Sequence, residues 1–204
     1  MEMETYFDIL PIVAAYLLGS IPFGYIFTLK MTGKDIRKAG TGFISSTNVR
    51  RVAGPRAAFY TQLCDMLKGL LPVMTVWLLQ SYLVIHLDEP LIYALALATI
   101  LGHNFSIFMK FKGGKGINTT LGASLILNPI AVVASVLVYF IVKWLSGYVA
   151  LGAICLAITL SVSGFFIHQT PHQFYYFLIA TGLIIAMHIP NIKRLIKGTE
   201  IKSR

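Results

Sequence analysis

Three uncharged runs, Leu91 to Met109, Ile117 to Val142 and Tyr148 to Ile167, constrain this chain more than any other feature of its sequence. Each approaches or exceeds the ~18 residues of a bilayer span, so they read as membrane helices and not as core strands. Composition agrees, with 56% hydrophobic residues, 12% charged residues and a mean hydropathy of +0.75, more apolar surface than a water-soluble fold can hide. The N-terminus carries Glu2, Glu4 and Asp8 but no Lys or Arg, unlike a secretory signal, so the first helix is expected to be retained. Cys64 and Cys155 fall in separate apolar segments without metal or redox spacing and are expected to be small buried residues. The net charge of +9 comes from residues flanking membrane segments, which argues for membrane orientation and against nucleic acid. With no repeat, low-complexity tract or long linker, residues 1–204 are expected to form one integral membrane domain.

Charge sets an expected topology. A first helix over Asp8–Leu29 tolerates Gly19 and Pro22 because membrane neighbours satisfy freed backbone groups. Lys30, Lys34, Arg37, Lys38, Arg50, Arg51 and Arg56 then face a single acid, Asp35, which puts this loop in the cytoplasm and the N-terminus outside. Helix two, Ala57–Ile85, leads to an external loop with His86, Asp88, Glu89 and Pro90, and helix three returns inward to Met109 and Lys110, Lys112 and Lys115. The basic tail, Lys193, Arg194, Lys197, Lys202 and Arg204, also belongs inside. Parity then demands an extra crossing, and Asn128-Pro129 supplies the break, dividing Ile117–Lys143 into helices of about 11 and 15 residues. The count becomes about seven transmembrane helices in an all-α bundle with a cytoplasmic C-terminus. Such short helices reach only ~16–22 Å, so two short spans and a re-entrant hairpin both remain open.

Three polar clusters land on that cytoplasmic face. The stretch Gly40-Thr-Gly-Phe-Ile-Ser-Ser-Thr-Asn48 lies between Arg37, Lys38 and Arg50, Arg51. Its glycines let backbone N–H groups turn toward a phosphate, and Thr41, Thr47 and Asn48 bring side-chain donors. Gly102-His-Asn-Phe105 is followed by Phe111-Lys-Gly-Gly-Lys-Gly116, a Gly-rich turn with Lys115 just before a helix start, where the macrodipole favours an anion. It is not a Walker A loop, since Met109 and Gly116 stand where Gly and Ser or Thr are required. The third cluster, His188-Ile-Pro-Asn191-Ile-Lys-Arg194 with Gly198-Thr-Glu200, spaces His188 and Asn191 for one helix face. Asp65 and Lys68 add an intramembrane pair at i, i+3.

In order and spacing these clusters, with Gly19-Ser-Ile-Pro-Phe-Gly24 and Asp65-Met-Leu-Lys-Gly69, resemble the PlsY family of membrane acyltransferases over nearly the whole chain. The resemblance implies a cell-membrane, multi-pass enzyme of phospholipid synthesis with its active site on the cytoplasmic face. It would transfer an acyl group from acyl-phosphate to the 1-hydroxyl of sn-glycerol 3-phosphate, with no cofactor or metal. It implies a phosphate of acyl-phosphate among Thr41, Thr47, Asn48 and the glycines Gly113, Gly114 and Gly116. Arg51, Lys115, His188 and Asn191 would hold a second phosphate or the glycerol, with Lys115, His188 and Asn191 as catalytic residues. Gly42, His103, Asn104 and Glu200 complete the implied substrate-binding set.

The chain departs from the family pattern chiefly in the first loop, which usually reads Gly-Ser-Gly-Asn-x-Gly-Ala-Thr-Asn. Phe43 replaces a small polar residue and Ser45 a glycine, Ser106 stands where proline is usual, and Ala150 and Ala153 replace two serines. The alternatives are a divergent member with an altered acceptor or no catalysis, and a small anion transporter. The second would place polar residues at mid-bilayer on several helices, whereas Asp65 and Lys68 are the charged residues clearly within a span.

Overall fold

The computed structural model describes residues 2–82, 89–167 and 170–203, and among these all regular structure is helical. His86 and Asp88 of the expected external loop, the end of helix two at Ile85, and Arg204 of the tail lie outside the described residues. The chain divides into two compact units, Met1–Ala123 and Ser124–Arg204. Five segments are long and apolar enough to cross a membrane among the described residues, six if one bent helix pair is a single span. Large apolar side chains such as Trp144 and Phe166, each 78% exposed, cover outer faces, as lipid contact requires.

The first unit contains α1 (Glu2–Ser20), α2 (Phe23–Thr32), a 3-10 turn (Ile36–Lys38), α3 (Ser46–Tyr82), α4 (Glu89–Asn104) and a second 3-10 turn (Ile107–Met109). The helix expected over Asp8–Leu29 is thus two helices, because Pro22 has no N–H to continue the ladder past Ile21. The carbonyls this break releases are recovered by side chains. Ser106 Oγ donates to Ser20 O at 2.5 Å, and Lys68 Nζ donates to Ile21 O at 2.9 Å. That gives the serine at 106 a task proline cannot perform. Lys68 also lies 2.8 Å from Asp65 Oδ1, so the intramembrane pair expected from the spacing is formed, with both side chains at most 4% exposed.

Without a hydrophobic drive between helices in lipid, close packing needs small residues. Gly19 and Gly102 meet this need reciprocally between α1 and α4: a Cβ on Gly19 would overlap Thr99 O, and one on Gly102 would overlap Tyr16 O. The helix expected from Ala57 begins at Ser46 instead. Its first two turns lie ahead of a break at Gly54, whose φ of 85° and ψ of 178° are not helical, and Pro55 restarts the run. Helix three ends at Asn104, short of Met109, and the chain turns there through Ser106.

Helix α5 (Ile117–Leu127) runs from the first unit into the second, which holds α6 (Pro129–Ser146), α7 (Val149–Ile167), α8 (Pro171–Met187) and α9 (Ile189–Ile196). The expected break stands at Asn128-Pro129, where Asn128 Oδ1 accepts the Ala131 N–H at 3.0 Å as an N-cap. Helix α5 has the expected 11 residues, but α6 has 18 rather than about 15, because it continues to Ser146 and closes on Gly147 at φ 76°. Hydroxyls join α7 to α8, with Ser161 Oγ donating to Phe177 O at 2.9 Å and Thr181 Oγ1 to Ala157 O at 2.6 Å. Ala150 and Ala153 are buried on α7 among its small residues. Cys64 and Cys155 are free thiols and half-buried, not buried.

Candidate functional site

In the first unit the loop between α2 and α3 is built around one buried amide. Asn48 is fully buried; its Oδ1 accepts the Thr41 N–H at 2.9 Å, and its Nδ2 donates to Ala39 O at 3.1 Å and Phe43 O at 3.0 Å. Expected as a donor to phosphate, Asn48 instead spends both amide hydrogens inside the loop and shapes it. The tight path around it needs Gly40 at φ 61°, where a Cβ would strike Asn48 Oδ1. Gly42, exposed at φ 74°, closes a turn by donating to Ala39 O at 3.1 Å.

Ser45 occupies no left-handed position, so the glycine it replaces is not required for backbone freedom. Its Oγ accepts the Asn48 N–H at 3.4 Å, and its carbonyl accepts the Val49 N–H, which makes it the N-cap of α3. This cap was readable in the run Ser45-Ser-Thr-Asn48, since a serine ahead of a helical pattern is a start signal. Thr47 lies in the first turn of α3, and Arg50 and Arg51 follow it, both exposed. On the other flank Asp35 accepts from Arg37 through the side chain, at 2.7 to 3.1 Å, and through the backbone N–H at 2.9 Å. The Arg37 side chain and backbone hold the Asp35 pKa down from 3.8 to about 2, and the carboxylate in turn raises that of Arg37. The guanidinium also lies 5.0 Å from the Tyr25 ring centroid, so Arg37 anchors the loop.

The Gly-rich turn is held equally firmly. Gly113 and Gly114 donate their N–H groups to Asn104 O and His103 O, both at 3.0 Å. Those two donors, expected to face a phosphate, are committed to the turn. A Cβ on Gly114 would overlap the His103 ring and lie 2.7 Å from Ile44 O, so this turn and the first loop are in backbone contact. His103 is buried, with Nδ1 3.5 Å from Asp65 Oδ1, and Asn104 is fully buried, so both support the turn from behind. The cavity beside them, lined by Ser20, Asp65, Lys68, His103 and Gly114, has room for about one water molecule.

The outer side of the two loops is built differently. Gly116, at φ 83°, turns the chain into α5, and Asn118 in the first turn of α5 donates through Nδ2 to Ser46 Oγ in the first turn of α3 at 3.5 Å. The N-termini of α3 and α5 thus meet, and Lys115, half-buried, stands immediately before one of them. Two helix ends and a lysine form a concentrated positive field.

In the second unit the chain leaves α8 through His188, which is 3% exposed. Its Nδ1 lies 2.8 Å from Ile184 O, and because a carbonyl only accepts, Nδ1 is the donor of this bond. Asn191 Nδ2 donates to Glu200 Oε1 at 3.0 Å, and Arg194 Nε to Glu200 Oε2 at 2.7 Å. Glu200, expected to touch substrate, uses both oxygens to hold Asn191 and Arg194, and its negative charge would repel a phosphate. Gly198 at φ 68° makes the return possible. Arg194 as the third member of this clamp went unread, although the Arg194 to Glu200 spacing across a glycine was its signal.

The family model for glycerol-3-phosphate acyltransferase matches residues 9–198. The glycerol-3-phosphate acyltransferase of Clostridium acetobutylicum is 37% identical over 193 residues, 94% of this chain and 98% of that one. The protein of the same description from Trichlorobacter lovleyi is 39% identical over 191 residues, 94% of this chain and 95% of its own. Two crystal structures of PlsY (YgiH), an integral membrane glycerol 3-phosphate acyltransferase, share the fold. The glycerol 3-phosphate form has a TM-score of 0.88 at 31% identity, covering 97% of this chain and 96% of that chain. The lysophosphatidic acid form has a TM-score of 0.84 at 30% identity, covering 96% and 94%.

Proposed function

The chain belongs to the glycerol-3-phosphate acyltransferase family, PlsY, and from that premise we propose that it transfers an acyl group from acyl-phosphate to the 1-hydroxyl of sn-glycerol 3-phosphate. The observation that carries this reading is the meeting of the α3 and α5 N-termini, with Ser46 and Asn118 3.5 Å apart, beside Lys115. A phosphate brought by either substrate suits that field.

In the reaction the 1-hydroxyl oxygen attacks the acyl carbon, an ester C–O bond forms, and the C–O bond to phosphate breaks. The hydroxyl proton ends on the phosphate, either directly or through His188 Nε2. Because a mixed anhydride already has a good leaving group, positioning and charge stabilisation suffice, and no protein nucleophile is needed. Thr41, Thr47 and the α3 N-terminus receive the acyl-phosphate, while Arg51 and Lys115 bind phosphate charge. Gly42, Gly113, Gly114 and Gly116, with Asn48, His103 and Asn104, shape the two loops. His188 and Asn191 act on the acceptor, and Glu200 orients Asn191. Residues 1–204 act as one membrane acyltransferase domain of about seven crossings in the cell membrane, the N-terminus outside and the site and C-terminus cytoplasmic.

The test is acyl transfer by the purified full chain in lipid, with radiolabelled glycerol 3-phosphate and either acyl-phosphate or acyl-CoA. Lysophosphatidic acid from acyl-phosphate alone is expected, and loss of it in Lys115→Ala. Product from acyl-CoA only, or none from a folded sample, refutes the proposal.

A further inference from the structure

Phe43 is the residue least suited to a phosphate loop by its own chemistry, since an aromatic ring offers an anion no donor. Yet the ring is not simply tolerated. Lys115 Nζ lies over it, 5.2 Å from the centroid, within the ~6 Å at which a ring face attracts an ammonium. Both residues are half-buried, which lessens the screening that weakens such pairs on an open surface.

The pair is mounted on a rigid base. The Phe43 carbonyl accepts from Asn48 Nδ2 and from the Ser45 N–H, both at 3.0 Å, so the ring's backbone is held twice. One residue along, Ile44 O lies so near Gly114 that a Cβ there would stand 2.7 Å away. Ring and ammonium therefore project from positions next to a backbone contact.

We propose that Phe43 is a positioning residue for Lys115, its ring face holding the ammonium in place for the phosphate of glycerol 3-phosphate. This rests on the reading of Lys115 as a phosphate-binding residue. A lysine stem is long and flexible, and fixing its head beforehand removes part of the ordering cost that binding otherwise carries. Phe43 thereby replaces direct donation to phosphate by ordering of the cation that binds it.

The full chain in lipid nanodiscs, with its lysines carbon-13 dimethylated so that charge is kept, tests this by NMR. The Lys115 signal is identified by its loss in Lys115→Arg. Ring current from Phe43 should shift it upfield in the wild type and in Phe43→Tyr, and the shift should vanish in Phe43→Leu. An unchanged Lys202 signal, over the Tyr148 ring at 5.5 Å, reports that the variants are folded. A wild-type Lys115 position in Phe43→Leu overturns the contact. Glycerol 3-phosphate titrated into the same variants without methylation should bind about three- to tenfold more weakly to Phe43→Leu, the size of a partly exposed cation–π pair. Affinity should step down along mono-, di- and trifluorinated phenylalanine at 43, which drain the ring face with little change of shape. Equal affinity across that series, or no response of the wild-type Lys115 signal to glycerol 3-phosphate, overturns the positioning role. Binding with that series intact but no lysophosphatidic acid formed would leave Phe43 positioning Lys115 and refute only the catalytic reading.

Discussion

The first and the third polar clusters are built on opposite principles. Between α2 and α3, side chains hold backbone: Asn48 staples three peptide groups and Ser45 caps a helix. Around α9, side chains hold side chains: Glu200 fixes Asn191 and Arg194, while His188 bonds a backbone carbonyl through its ring. The first design tolerates changed side chains while its backbone path is kept, which is why Phe43 and Ser45 fit there. The second depends on each side chain's identity.

The largest effect expected is from Gly114→Ala, whose Cβ would overlap His103 and press on Ile44 O. Parting the two loops should cost about 3 kcal/mol and abolish glycerol 3-phosphate binding; a fully active variant would break the claim that backbone contact builds the site. Asn48→Ala leaves buried backbone groups without partners and should lower stability by about 2 kcal/mol in unfolding followed in mild detergent. An unshifted midpoint would mean the loop holds without its staple. Glu200→Gln keeps one acceptor but loses the charge that holds Arg194, and should lower stability by about 1.5 kcal/mol. Acyl transfer should fall through kcat more than through KM for glycerol 3-phosphate; a change in KM alone would return Glu200 to direct substrate contact. Ser45→Ala removes an N-cap, about 1 kcal/mol, while Ser45→Gly, the family's own residue, should cost only a few tenths.

The smallest effect concerns acid. Asp35 is held at about 2 by Arg37, below its ordinary 3.8, so its contribution is complete above 3.8 and is lost as pH falls through about 2. A carboxyl carbon titration should place its midpoint near 2, and Arg37→Ala should return it toward 3.8.

Much of this was legible beforehand. The apolar runs, the break at Asn128-Pro129, the Asp65–Lys68 pair and the three clusters are local patterns, and a proline or an i, i+3 spacing acts through its neighbours. The split at Ile21 is not legible in the sequence because its remedy is remote: Ser106 and Lys68 come from 86 and 47 residues away. Asn48, Gly113, Gly114 and Glu200 look the same in sequence whether their groups face a ligand or the protein.

The sequence by itself determined a helical membrane protein of one acyltransferase family, because hydropathy, helix-breaking residues and motif order survive without coordinates. Only the tertiary structure decided which polar groups of the first unit are spent inside it. Hydrogen-bond capacity is finite and short-ranged, so a donor's use depends on what folding brings within about 3 Å of it. The same proximity gave Phe43 its ammonium and left Gly114 no space for a methyl group.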